Sequence, residues 1–83
     1  MPKEKLVAVT EIAEWMGVYR TNARKWLLKQ GYEFVQARDP VSRQGVNALP
    51  VSQAREAIEL RRRLGFPVHG DGTAGLREVR AIG

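Results

Sequence analysis

The sequence predicts a mainly α domain that carries a small antiparallel β-hairpin. Three observations predict it. Two short helix-forming segments are separated only by Gly17-Val18-Tyr19. The hydrophobic period then changes from helical to alternating over two runs joined by turn residues. A third helical period follows Pro50, a residue that cannot donate to a strand ladder and so ends the returning run.

Taken in order, Met1 to Lys5 reads as a loose polar leader, and Leu6 to Val9 as a short strand or hydrophobic arm. Thr10 is placed to cap a first helix, because its hydroxyl can accept from the free N–H groups of the first turn. Glu11 and Glu14 suit a helix start. Ile12, Ala13, Trp15 and Met16 form its apolar side, and Gly17 ends it as the residue that tolerates a left-handed turn. A second helix is expected from about Arg20 to Gln30, with Ala23, Trp26, Leu27 and Gln30 on one face, ended by Gly31. Tyr32 to Arg38 reads as a strand, Asp39-Pro40 and Ser42 to Gly45 as turn residues, and Val46 to Leu49 as the returning strand. Ser52 is the expected cap of a third helix. Ala54, Ala57, Ile58 and Leu64 form its stripe, with Leu60 beside it. Arg61-Arg62-Arg63 occupy the last turn, where cations compensate the helix dipole and face solvent. Gly65 and Pro67 close it. Residues 1–67 thus make the domain. Residues 68–83, Gly-rich at first, read as a flexible C-terminal tail in which Leu76, Val79 and Ile82 could form a short amphipathic turn.

Composition narrows the function. At 83 residues there is room for one small domain with a modest core. Fourteen Lys and Arg against nine Asp and Glu leave a formal charge of +5, which suits a polyanionic partner. The absence of cysteine excludes a disulfide framework, a thiolate metal site and a cysteine nucleophile. The single histidine, His69, has no companion ligand or nucleophile, and there is no phosphate-cradling loop followed by Lys-Ser/Thr. An enzyme, a metal and a cofactor are therefore not expected. No apolar run is long enough for a membrane span or signal peptide, so a cytoplasmic, nucleoid-associated protein is expected.

The order of elements, two helices across a tight turn, a hairpin and a third helix, is that of a winged helix-turn-helix. The second helix would enter the DNA major groove and the hairpin the flanking minor groove. The candidate DNA-binding residues follow. Tyr19, in the turn, suits either a phosphate contact or packing, and Arg20, Thr21 and Asn22 open the second helix, whose N-terminal part meets bases in such folds. Asn22 suits adenine, and Arg24 suits guanine or phosphate. Lys25 and Lys29 suit phosphates as flexible point charges. Arg38, Arg43 and Gln44 lie at the hairpin tip, where arginine fits a narrow minor groove. Trp15 and Trp26, which could stack on bases, fall at core spacing instead.

The run TEIAEWMGVYRTNARKWLLKQG, followed by a hairpin and PVSQAREAIELRRRLGF, resembles the DNA-binding domain of the MerR and phage-excisionase (AlpA-like) superfamily over roughly residues 6–67. Gly17-Val18 matches that family's turn, Arg24 its recognition-helix arginine, Gly45 its wing glycine, and Leu64-Gly65-Phe66 the end of its next helix. Two positions depart. Tyr19 stands where a small serine is usual, and Val46-Asn47 where an aromatic-Arg pair follows the wing glycine. Arg43 could replace the lost arginine contact. The long dimerising helix and ligand-binding half of MerR regulators are not among these residues, which turns the resemblance toward excisionases, AlpA-like regulators and small DNA-packaging subunits.

The sequence thus predicts a non-enzymatic protein that binds double-stranded DNA with sequence preference. It would act as a transcriptional regulator or an architectural factor. One module presents little surface, so a homodimer or a cooperative multimer on DNA is expected, with the tail as a contact between protomers. The alternative is a protein-interaction adaptor, such as a terminase-like packaging subunit docking a partner. RNA is less suited, for the aromatic sheet signature of common RNA modules is missing.

Overall fold

The computed structural model describes residues 4–73, 75–77 and 79–82. Residues 1–3 of the expected leader, and residues 74, 78 and 83 of the C-terminal segment, lie outside it. The elements run β1 (Leu6–Ala8), α1 (Val9–Met16), α2 (Arg20–Lys29), β2 (Val35–Arg38), β3 (Gly45–Pro50), α3 (Val51–Arg63) and β4 (Arg80–Ala81). The strands form one antiparallel sheet in the order β1-β3-β2-β4. The fold is accordingly mixed α and β rather than mainly α. The hairpin is there, with Val35 opposite Ala48 and Arg38 opposite Gly45. It is flanked on one side by the residues before α1 and on the other by the end of the chain.

Strand alternation divides the buried residues into two clusters. Val7 and Leu49 are paired across β1 and β3 and both face the helices, where they join Ile12, Trp15, Met16, Leu27 and Ile58. The alternate residues Ala8, Ala48 and Ala37 face the other way and pack with Val79, Leu6 and Val46. Leu6 also bridges Val79, just ahead of β4, so the two edges of the sheet meet at one end. A sheet curled this far has little interior, and alanine fills it. Curling also removes the exposed ladder that would otherwise invite edge pairing.

Two of the expected caps are not made. β1 runs straight into α1, whose capping residue is Ala8, and β3 runs into α3, whose capping residue is Pro50; neither end has a side-chain cap. Thr10 falls inside the first turn. The Ser52 hydroxyl is 2.9 Å from a Glu4 carboxylate oxygen, and the Val51 N–H donates to the Lys5 carbonyl at 2.8 Å. Backbone from the β1 side therefore does what a capping side chain was expected to do for α3. Gly17 ends α1 as expected, at φ 70°, with the Val18 N–H returning to the Ala13 carbonyl at 3.1 Å.

The segment read as a flexible tail is laid across α1. The His69 N–H donates to the Trp15 carbonyl at 2.6 Å, and Gly70 and Gly72 lie against the Trp15 indole. At Gly72 a Cβ would meet both Trp15 and Leu76, so glycine is what lets the backbone lie close on the ring. Leu76 packs on the helical core, and the Arg77 N–H donates to both oxygens of the buried Glu11 carboxylate at 3.2 Å. The amphipathic turn expected from Leu76, Val79 and Ile82 is replaced by extended chain. Val79 is buried in the curled sheet, Ile82 is exposed, and the Ile82 N–H donates to the Gln36 carbonyl at 3.0 Å.

Candidate nucleic-acid interface

The helix α2 has no acidic residue and carries Arg20, Arg24, Lys25 and Lys29. Its orientation is set by what it buries: Ala23 and Leu27 are fully enclosed, and the small Ala23 lets α2 lie close on α1. The cations are therefore left on the surface. Arg20 and Arg24, one turn apart, look toward the hairpin together with Thr21. The three line a cleft of ≈340 Å³ whose other walls are Val9 and Thr10 of α1 and Gln36, Gly45, Val46 and Asn47 of the hairpin. No carboxylate is among these residues. Across the cleft floor the Gln36 side-chain amide Nε2 donates to the Asn47 side-chain oxygen Oδ1 at 2.7 Å, which uses one donor and one acceptor of the pair and leaves the rest for a ligand.

The other expected residues are distributed around this cleft. Lys25 lies one turn beyond Thr21 on the outer face. At about 100° per residue, Asn22 and Lys29 fall roughly opposite Arg20 around the helix, away from the cleft. Tyr19 projects from the turn, 81% exposed. Its carbonyl accepts from the Ala23 N–H at 2.9 Å, so its backbone opens α2 while its ring is free. At the hairpin tip the Asp39 carboxylate accepts from the N–H of Val41 at 2.8 Å and of Ser42 at 3.4 Å. The Asp39 carbonyl accepts from the Arg43 N–H at 2.7 Å. This tight loop holds Arg43 at φ 61°, the one positive φ of a non-glycine residue among the described residues. Arg38 and Arg43 border a second depression, with Arg80 of β4 beside them. Gln44 is exposed on the loop and lines neither hollow.

Three arginines of α3 and the C-terminal segment are engaged in ion pairs: Arg62 and Arg63 pair with Glu59 at 2.9 and 3.9 Å, and Arg77 with Glu14 at 2.9 Å. Arg61 is not solvated, as its place in an arginine triplet suggested. It is 7% exposed, its guanidinium stacked 5.0 Å from the Trp26 ring and 4.4 Å from the Phe66 ring. Burial pushes its pKa down from the ordinary arginine value. By contrast, Arg20, Arg24, Lys25, Lys29, Arg38 and Arg43 pair with no carboxylate among the described residues.

Sequence reasoning missed Thr10, Gln36, Asn47 and Arg80 as parts of this surface. For Gln36 and Asn47 a signal existed: each alternates with apolar neighbours, so each had to share the face opposite Ala37 and Ala48. Among the described residues no group of His, Asp and Glu could hold a metal ion, and no helix is long and apolar enough to cross a membrane. Compared with protein-family models, curated proteins and solved structures, the chain matches none.

Proposed function

We propose that this protein binds double-stranded DNA as a winged helix-turn-helix module without catalytic activity of its own. In that reading α2 is the recognition helix and the β2–β3 hairpin the wing. One observation carries it: the cleft between them is walled by Arg20 and Arg24, floored by the Gln36–Asn47 amide pair, and lined by no carboxylate among the described residues. An α-helix fits the major groove, and arginine and amide side chains are the groups that read base edges there. The exposed cations of α2 and the hairpin tip, which pair with no carboxylate among the described residues, supply the phosphate contacts that set register. The resemblance of the sequence to MerR and excisionase domains points the same way, toward control of transcription or shaping of DNA for recombination or packaging.

A salt titration tests it. Neutralising about five phosphates gives a log–log slope of about −4 to −5 for duplex binding. Arg24→Ala should weaken binding and relax preference at one base position, whereas Lys29→Ala should weaken all sequences alike and shallow the slope by about 1. Amide shifts on adding duplex should cluster on residues 20–29 and 38–45. Shifts clustered elsewhere, or binding indifferent to salt, would remove the reading. A protein-docking role has one observation in its favour, the exposed Leu64 and Phe66 beyond α3. It predicts salt-insensitive capture of a protein and no duplex-induced shifts on α2.

A further inference from the structure

We infer that Leu28 and Thr21 form an apolar strip on α2 that reads the 5-methyl group of thymine in the major groove. The inference rests on the DNA-binding reading above and adds to it a source of sequence preference that carries no charge.

The first support is placement around the helix. Ala23 and Leu27 are enclosed, which fixes the buried side of α2. At about 100° per residue, Arg24, Leu28, Thr21 and Lys25 follow one another around the solvent side, all within about 100°. Leu28 is 48% exposed there, on a helix whose sequence RTNARKWLLK holds no acid. Leucines exposed singly are common on protein surfaces. This one is set apart by its neighbours, for Arg24 and Lys25 stand four and three residues before it, the spacings that meet on a helix surface.

The second support is what can cover it. Trp26 falls about 160° around α2 from Leu28. The exposed Phe66, which stacks with Trp26 on the Arg61 guanidinium, therefore belongs to another side of the molecule. A partner seated on Leu28 must also accept Arg24 and Lys25, neither of which pairs with a carboxylate among the described residues. The major groove meets both demands. Phosphates line its rims, and among its base edges thymine presents the C5 methyl, the group that apolar side chains touch there. Thr21 adds a methyl of its own, about 10.5 Å along the helix from Leu28, so the two thymines lie no more than about three base steps apart.

The test uses the full chain and a duplex that it selects from random sequences. Replacing each thymine in turn by deoxyuridine removes only the methyl group. Two replacements should each weaken binding by roughly fourfold, the worth of one buried methyl group. The salt slope should not change, because no charge is lost. Leu28→Ala should lose the discrimination at one of these thymines and Thr21→Ser, which keeps the hydroxyl, at the other, both with the parental slope. In the unmutated protein, the Leu28 and Thr21 methyl protons should show through-space contacts to thymine methyl protons, and this measurement stands even if a variant folds poorly. Deoxyuridine without effect at every position, or discrimination that survives in both variants, would overturn the strip and leave the DNA reading in place. So would a Leu28→Ala protein altered only in self-association, as the mark of a second copy covering the leucine. A parent that binds no duplex would overturn both.

Discussion

Arg61 occupies a position that the helical period assigns to an apolar residue, for Ala54, Ala57, Ile58 and Arg61 stand at i, i+3, i+4 and i+7 and all are buried. The spacing was legible in the sequence; the triplet Arg61-Arg62-Arg63 obscured it by suggesting one shared, solvated role. The side chain works chiefly as a packing element, its guanidinium filling the slot between Trp26 and Phe66 while its buried Nε has no hydrogen-bond partner among the described residues. Arg61→Met should therefore hold stability within about 1 kcal/mol, since it keeps the volume and removes an unsatisfied donor. Arg61→Ala should cost about 2 kcal/mol, read by urea unfolding, because the slot empties. Tyr32 offers a test by pH. Burial, followed by the hydrogen bond to Glu56 at 2.8 Å and that carboxylate's charge, pushes its phenol from 10.0 up to about 12. A raised folded-state pKa contributes stability that is complete below pH 10.0 and is lost as pH rises toward about 12. In a Tyr19→Phe protein Tyr32 is the only tyrosine, so the phenolate absorbance should rise with a midpoint near 12, moving back toward 10 in Glu56→Gln.

At the scale of elements, what was legible was whatever local chemistry decides. The α2 bounds, Gly17 in its turn and the buried Ala23 and Leu27 follow from period and from glycine's tolerance of positive φ. What was not legible depended on partners distant in sequence. Thr10 and Ser52 look like caps, yet α1 and α3 begin where strands deliver the chain already aimed along the helix axis. The site shows the same division: Arg20 and Arg24 were expected on the surface, but only the pairing of β2 with β3 brings Gln36 and Asn47 opposite them. The hairpin provides the prediction at this scale. Its tip is held by Asp39, and Arg43 bears the left-handed residue of the loop. Relief of that strain is worth roughly 1–2 kcal/mol, and the unfolded-state freedom of glycine takes back about 0.4–1 kcal/mol. Arg43→Gly should thus unfold at the parental temperature or slightly above it, while its DNA affinity falls and its salt slope shallows by about 1. Loss of both stability and binding would mean that the side chain holds the loop together rather than meeting a phosphate.

For the whole molecule, the segment after Pro67 decides whether the fold closes. From composition it reads as a tail, because five of the molecule's eight glycines lie between Gly65 and Gly83 and nothing local demands structure. Yet it covers Trp15, satisfies the buried Glu11 and places Val79 at the point where the sheet edges meet. A domain of 83 residues has about 4–12 kcal/mol of net stability to draw on. Burial of Leu76 and Val79 contributes up to about 1.5–3 kcal/mol each, before the β4 ladder is counted. A chain ended at Pro67 loses these contributions together, leaves the Glu11 carboxylate without the backbone donor that meets it, and reopens both sheet edges. It should lose cooperative thermal unfolding near the parental midpoint, and its tryptophan emission should shift to the red as water reaches Trp15. If that shortened chain instead melted with the parent and kept its emission, residues 68–83 would be an appendage, and the helices with the hairpin alone would be the folding unit. The outcome bears on DNA binding as well. The strap runs from the His69 ring beside Gly17, in the turn that orients α2, to β4 beside the hairpin. It therefore ties together the two elements that, in the proposed function, would have to be held at one spacing to meet a duplex.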